Sequence, residues 1–154
     1  MKYKALSVRQ PFADLLIQKK AGQDVPAKRI ELRSRRTNYR GELVICASKS
    51  PEIPLHKSGC IVGIVELCDC RKVSELTEEE RAACCVAPEL LRKFENGWAW
   101  VFRNARRVIE LPVQGKLGIF TIDVPEGLEE YPKLVEIGED GWELIKKQIQ
   151  EARL

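Results

Sequence analysis

The sequence predicts an α+β fold: an antiparallel sheet or small β-barrel of five or six short, mostly antiparallel strands, flanked by helices. Three observations predict it. Apolar residues alternate over short runs separated by Gly, Pro and Asn, the mark of strands joined by turns. Helical periodicity is confined to the start, one central excursion and the end, so strands and helices do not alternate as a βαβ fold requires. The chain's 154 residues, 44% hydrophobic, suffice for one domain with its own core. The expectation is a single domain over residues 1–154, with its core at about 4–124.

The first element is read as a helix in "SVRQPFADLLIQKKAG". Pro11, behind Ser7 or Gln10, suits a first helical turn. Phe12, Leu15 and Leu16 follow at i, i+3 and i+4, and Gly22 is a stop signal. In "KRIELR", Ile30 and Leu32 face one way while Arg29, Glu31 and Arg33 face the other, as in a half-buried strand. "GELVICAS", "GCIVGIVELCDC", "GWAWVF", "RRVIELP" and "KLGIFTIDV" read as further strands, with Asn104 as a turn residue between two of them. "SELTEEERAACCVAPELLRKF" is helical: Thr77 and Glu80 have capping-box spacing, and Pro88 divides the segment in two. A last helix, at about 140–154, places Trp142, Ile145, Ile149 and Ala152 on one stripe for docking.

Composition narrows the class. Apolar runs such as "LVICA" and "CIVGIV" are far shorter than the ~20 residues that span a bilayer. The opening "MKYKALSVRQPFADLL" has no apolar region of signal-peptide type, so a cytoplasmic protein without membrane association is expected. The six cysteines are then read as reduced thiols. Cys68, Cys70, Cys84 and Cys85 have C-x-C and C-C spacings, poor clamps for tetrahedral zinc, and His56 has no second histidine beside it. No metal and no cofactor is expected. Dinucleotide, P-loop, zinc-protease and esterase signatures do not occur.

The charge is unevenly placed. Residues 27–41, "AKRIELRSRRTNYRG", hold six Lys or Arg and one acidic residue, Glu31. The other residues hold 20 basic and 22 acidic side chains, so the positive excess of the chain is confined to one segment. Such a cluster suits an anionic partner, and the competing reading is a solvated face.

Four stretches, in order, have the appearance of a known pattern: "ALSVRQPFADLLI", "KRIELRSRRTNYRGELVICAS", "SGCIVGIVELCDC" and "GWAWVFRNARRVIELPVQGKLGIFTID". Together they resemble the ASCH domain family over roughly residues 4 to 124. The resemblance implies a small β-barrel related to the PUA RNA-binding domain. It also implies a nucleic-acid partner, RNA favoured, or a nucleotide-like molecule. Some relatives are reported as ribonucleases, others as amidohydrolases on acylated cytidines. The family's Gly-x-Lys-x-x-Glu-x-Arg run is matched by Lys28, Glu31 and Arg33. Pro26 stands at the Gly position and "AGQDVP" is inserted before the strand. Cys46 stands where a family His often stands, so a mechanism needing that His is unavailable. In the amidohydrolase relatives a Thr stands where Glu31 falls.

The candidate site follows from these residues. Arg33, Arg35, Arg36 and Arg40 carry the planar donor fork that suits phosphate, and Lys28 adds a point charge. Arg9 and Gln10 stand at the start of the first helix, where unpaired N–H groups attract anions. Ser48, at the end of "GELVICAS", is a candidate to bind a ligand phosphate. Tyr39, Trp98 and Trp100 offer faces for stacked bases. Each has a structural alternative: a solvated face for the arginines, a cap or turn for Gln10, Ser48 and Tyr39, core packing for the tryptophans. If the protein is an enzyme, Lys28 acts as a base, as a crowded, desolvated amine can, Glu31 orients it or polarises water, and Tyr39 and Glu66 assist. Otherwise Lys28 and Glu31 form an ordinary ion pair.

Overall fold

The longest apolar run becomes the middle of the sheet. In the computed structural model, which describes residues 1–152, "CIVGIVELCDCRK" forms strand β5 (Cys60–Lys72). It is flanked by β4 (Gly41–Ala47) and β6 (Trp98–Arg107). Strands β1 (Lys2–Val8), β3 (Ile30–Arg33) and β7 (Ile119–Asp123) complete six, in the order β3-β6-β5-β4-β1-β7. All neighbours are antiparallel except β1 and β4. A separate parallel pair joins β2 (Gln18–Lys20) to β8 (Val135–Ile137).

The expected barrel is not closed. β3 and β7 are the two edges of the sheet and do not pair with each other. The physical reason lies at β3, where the N–H groups of Arg29 and Ile30 donate to the Ala83 carbonyl. The helical excursion thus occupies the edge that a closing strand would use.

That excursion keeps its predicted shape. A 3-10 turn (Val73–Glu75) leads to α2 (Glu78–Ala82), and Pro88 opens α3 (Pro88–Lys93). Thr77 and Glu80 form the capping box in both directions. The first helix is shorter than expected: α1 is the single turn Phe12–Leu15. Beyond it, Lys28 N–H donates to the Leu15 carbonyl and Ala27 N–H to the Gln18 carbonyl, so cross-strand pairing replaces helix propagation. Asn104 is not in a turn. It sits inside β6 at φ 52°, where β6 bulges against β5. "RRVIELP" beyond Arg107 makes only isolated bridges, Val108 to Glu130 and Pro112 to Cys60. The final helix α4 (Glu139–Glu151) buries Ile145 and Ile149 as expected, and residues 153–154 of the predicted helix lie outside the described residues.

Both faces of the sheet are covered. On β4, Leu43, Ile45 and Ala47 join the larger core with α1 and α4, while Val44 and Cys46 face the second core with Phe120. On β5 the phase changes at a bulge: Cys60 and Val62 face the first core and so do Val65 and Leu67. Gly63 allows it, because a Cβ there would stand 2.6 Å from the Arg106 carbonyl and 2.4 Å from Ile17. All six cysteines carry free thiols, and burial pushes Cys46 up to about 12 and Cys84 to about 11. No helix among the described residues is long and apolar enough to cross a membrane.

Candidate functional site

β3 carries the chemistry because it is short, amphipathic and at an edge. Ile30 and Leu32 turn into a third core with Val73 and Ala99, and this registers Glu31 and Arg33 on the opposite side. The two meet at 2.9 Å, between Arg33 Nη2 and Glu31 Oε2. Arg33 also donates to the Ser7 carbonyl at 2.8 Å and lies 5.7 Å over the Trp100 ring. Lys28, only 1% exposed, sits behind them. Its Nζ donates to the Cys84 carbonyl at 2.6 Å, lies 3.4 Å from Glu31 Oε1 and stands over the Phe12 ring. Glu31 is therefore gripped by one cation on each oxygen, and each oxygen keeps a lone pair to spare.

This cluster faces a cleft of about 420 Å3, within the ~300–1,000 Å3 range of small-molecule sites. Its floor is apolar: Val8, Phe12 and Leu90 are buried, and Val86 and Phe94 flank them. Its rim is polar and basic, with Arg9, Ser34, Ser50 and Lys116 exposed. Ser48 and Ser7 complete the wall. The Ser7 hydroxyl is buried without a hydrogen-bond partner among the described residues. It is crowded by the loop before β7, where a Cβ on Gly115 would stand 2.4 Å from it.

Of the residues expected at the site, the cleft gathers Arg9, Glu31, Arg33 and Ser48, with Lys28 one layer behind. Others stand elsewhere. Gln10, 2% exposed, is spent on Asp14 and the Lys57 carbonyl. Trp98 and Trp100 pack into the first core, and Trp100 Nε1 donates to the Arg35 carbonyl, so packing takes the faces that stacking would need. Tyr39 packs on the same core, donates to the Glu42 carbonyl, and has its phenol pushed up by burial and by Glu42. Glu66 does not reach the cleft. It pairs with Arg103 and Asn104 on the open surface, and the Arg103 guanidinium holds its carboxyl below the usual range. Arg35, Arg36 and Arg40 are exposed in the segment just after β3. Arg36 lies 5.9 Å over Trp98, and Arg40 donates to the Thr37 and Tyr39 carbonyls.

Ser7, Ser34, Ser50 and Lys116 were not expected at the site. The signal for Lys116 is "GKLG", a basic residue between two glycines, which suits a loop that approaches a ligand.

A second polar cluster lies apart from the cleft. His56 Nδ1 is 2.6 Å from Asp14 Oδ2, and Nε2 is 2.7 Å from Gln148 Oε1. Gln148 Nε2 donates to the Pro54 carbonyl, which fixes its oxygen toward the imidazole. Both ring nitrogens thus face acceptors, and both must donate, as an imidazolium does. Burial alone would lower the His56 value; the hydrogen bonds to Asp14 and Gln148 and the Asp14 charge outweigh it and raise it. A wide, open groove of about 820 Å3 runs past His56 and shares no residue with the cleft.

The fold and the motifs have counterparts in known proteins. The ASCH domain model matches residues 6–112. Activating signal cointegrator 1 of Homo sapiens is 27% identical over 141 residues, covering 77% of this chain, and that of Mus musculus is 26% identical over the same length. The chain spans 22% of the length of these relatives. Among solved structures, ASCH from Zymomonas mobilis superimposes with a TM-score of 0.59 at 15% identity, covering 80% of this chain and 89% of that one. A tyrosine-to-phenylalanine variant of that protein gives 0.58 at 14% identity, over 78% of this chain and 89% of its own. The structural likeness speaks for the shared fold, and the family model, spanning most of the sequence with the Lys28, Glu31 and Arg33 run inside it, speaks for descent: the chain belongs to the ASCH domain family.

Proposed function

We propose that the cleft between β1, β3, α3 and the loop before β7 binds nucleic acid, RNA favoured, or a nucleotide-like fragment of it. One observation carries the reading: an apolar floor and a basic rim enclose a nucleotide-sized space in which Arg9, Arg33 and Lys116 outnumber Glu31. Arg and Lys at the rim neutralise phosphate and release counterions. The apolar floor offers a base a surface away from water. The exposed Arg35, Arg36 and Arg40 extend the positive surface along the chain beyond Arg33.

The test changes the rim, which the core does not need. With Arg9 and Lys116 both replaced by Ala, binding to a fluorescent single-stranded RNA falls at least about tenfold, and the dependence of affinity on salt becomes shallower by about two ions. Unchanged affinity and slope would reject the cleft as the site.

A second reading, hydrolysis of RNA or of an acylated cytidine, draws on Glu31. Its carboxylate stands in the cleft with Lys28 behind it and the unpartnered Ser7 hydroxyl in the same wall. Glu31→Gln then abolishes product formation from such substrates. No product from the unaltered protein would dismiss this reading while leaving binding intact.

A further inference from the structure

We infer that the cleft, taken as the nucleotide site proposed above, selects for guanine, by pairing the Glu31 carboxylate with the adjacent N–H donors of the base. The reasoning starts from depth. Phe12 and Leu90 at the floor are 3% and 8% exposed, whereas Arg9 and Lys116 at the rim are exposed. A nucleotide has a flat, largely apolar end and an anionic end. The anionic end belongs at the rim, and the base belongs on the floor.

Glu31 stands at that depth, its side chain 13% exposed, and is the one carboxylate in the lining among the described residues. A carboxylate accepts hydrogen bonds and donates none. Phosphate at neutral pH also only accepts, so the two repel when in contact, and the group that meets Glu31 must be a donor. Lys28 and Arg33 hold the two carboxylate oxygens from behind and from the side, at 3.4 and 2.9 Å. The pair of oxygens is therefore fixed in orientation before any ligand arrives, which removes the ordering cost of the contact.

The bases differ in what they present to two fixed acceptors. Guanine offers N1–H and the N2 amino group side by side, one donor for each oxygen. Cytosine and adenine each offer an amino group beside a ring acceptor. Uracil offers one N–H between two carbonyl oxygens, which face the carboxylate unfavourably. The order of affinity that follows is guanine first, cytosine and adenine next, uracil last. A bidentate contact with a base edge discriminates by about tenfold or more.

The experiment is titration of the unaltered protein with GMP, IMP, CMP, AMP and UMP at low salt, followed by amide chemical shifts or calorimetry. GMP is expected to bind about tenfold tighter than UMP, and IMP, which keeps N1–H and lacks the amino group, to fall between them. In Glu31→Gln, which keeps the size and loses one acceptor, the preference for GMP over UMP is expected to collapse. Equal binding of all five by the unaltered protein would overturn base selection and leave the cleft reading standing. Binding of none would overturn both. The comparison of GMP with IMP needs no variant, so a Glu31→Gln protein that fails to fold does not blunt the test.

Discussion

The cleft cluster and the histidine cluster are both built from buried charge, yet one is open and the other closed. In the closed one every group has its partner: Gln10 bridges Asp14 and the Lys57 carbonyl, Asp14 takes the imidazole, and Gln148 links the imidazole to Pro54. Its effect is to tie α1, the loop before β5 and α4 together. In the open one, Glu31 and Arg33 keep hydrogen-bonding capacity directed at a cavity, and the Ser7 hydroxyl has no partner among the described residues. A satisfied buried network rigidifies; the partly satisfied one beside the cavity is what the proposed ligand would complete. The difference separates scaffold from site more sharply than charge content does.

Mutations can break this contrast where it is strongest. Lys28→Ala leaves Glu31 short of a partner and the Cys84 carbonyl without its donor, so a loss of about 3–5 kcal/mol is expected in urea unfolding. A cost near zero would mean that Lys28 belongs to the ligand, not to the frame. Next is His56→Ala, expected to cost about 2 kcal/mol, since Asp14 and Gln148 lose hydrogen bonds to a charged donor.

His56 also has a pH signature. Because the folded value lies above the unfolded ~6.5, its contribution is full below that pH and fades as pH rises through the folded value. Unfolding midpoints measured across that window are expected to fall with pH in the unaltered protein and to flatten in His56→Ala. A parallel fall in both would place the titration elsewhere. The smallest effect on stability, and a test of the cleft's surroundings, is Arg35 and Arg36 changed together to Ala. Both side chains are exposed, so stability stays within about 0.5 kcal/mol while RNA affinity drops severalfold. Undiminished binding would confine the interface to the cleft itself.

What was legible in the sequence follows the range of the interactions. β3, β4, β5 and β7 stand where alternation and Gly or Pro punctuation put them, and Thr77 caps α2 as its spacing requires. These are local signals. The first helix was overread because Phe12, Leu15 and Leu16 fit a helical stripe, whereas backbone pairing with residues 27 and 28 ends it after one turn. β1 and β8 were missed because their partners are distant in the chain. At the site, Glu31 and Arg33 were readable because the charge cluster is contiguous. Lys116 and Ser50 join them only through the fold. Trp98 and Trp100 looked like stacking faces, and their strand turns them inward.

β1 lies between β4 and β7, paired in register from Ala5 with Val44 and from Lys2 with Asp123. β1 is thus synthesised before both of its neighbours and is fully seated only after the second, some 115 residues later in the chain. Until then Ser7 and Arg9 have no wall to belong to. Contacts so remote in sequence slow folding, and the cleft is walled only when residues 7–9 and residues 116–118 have met.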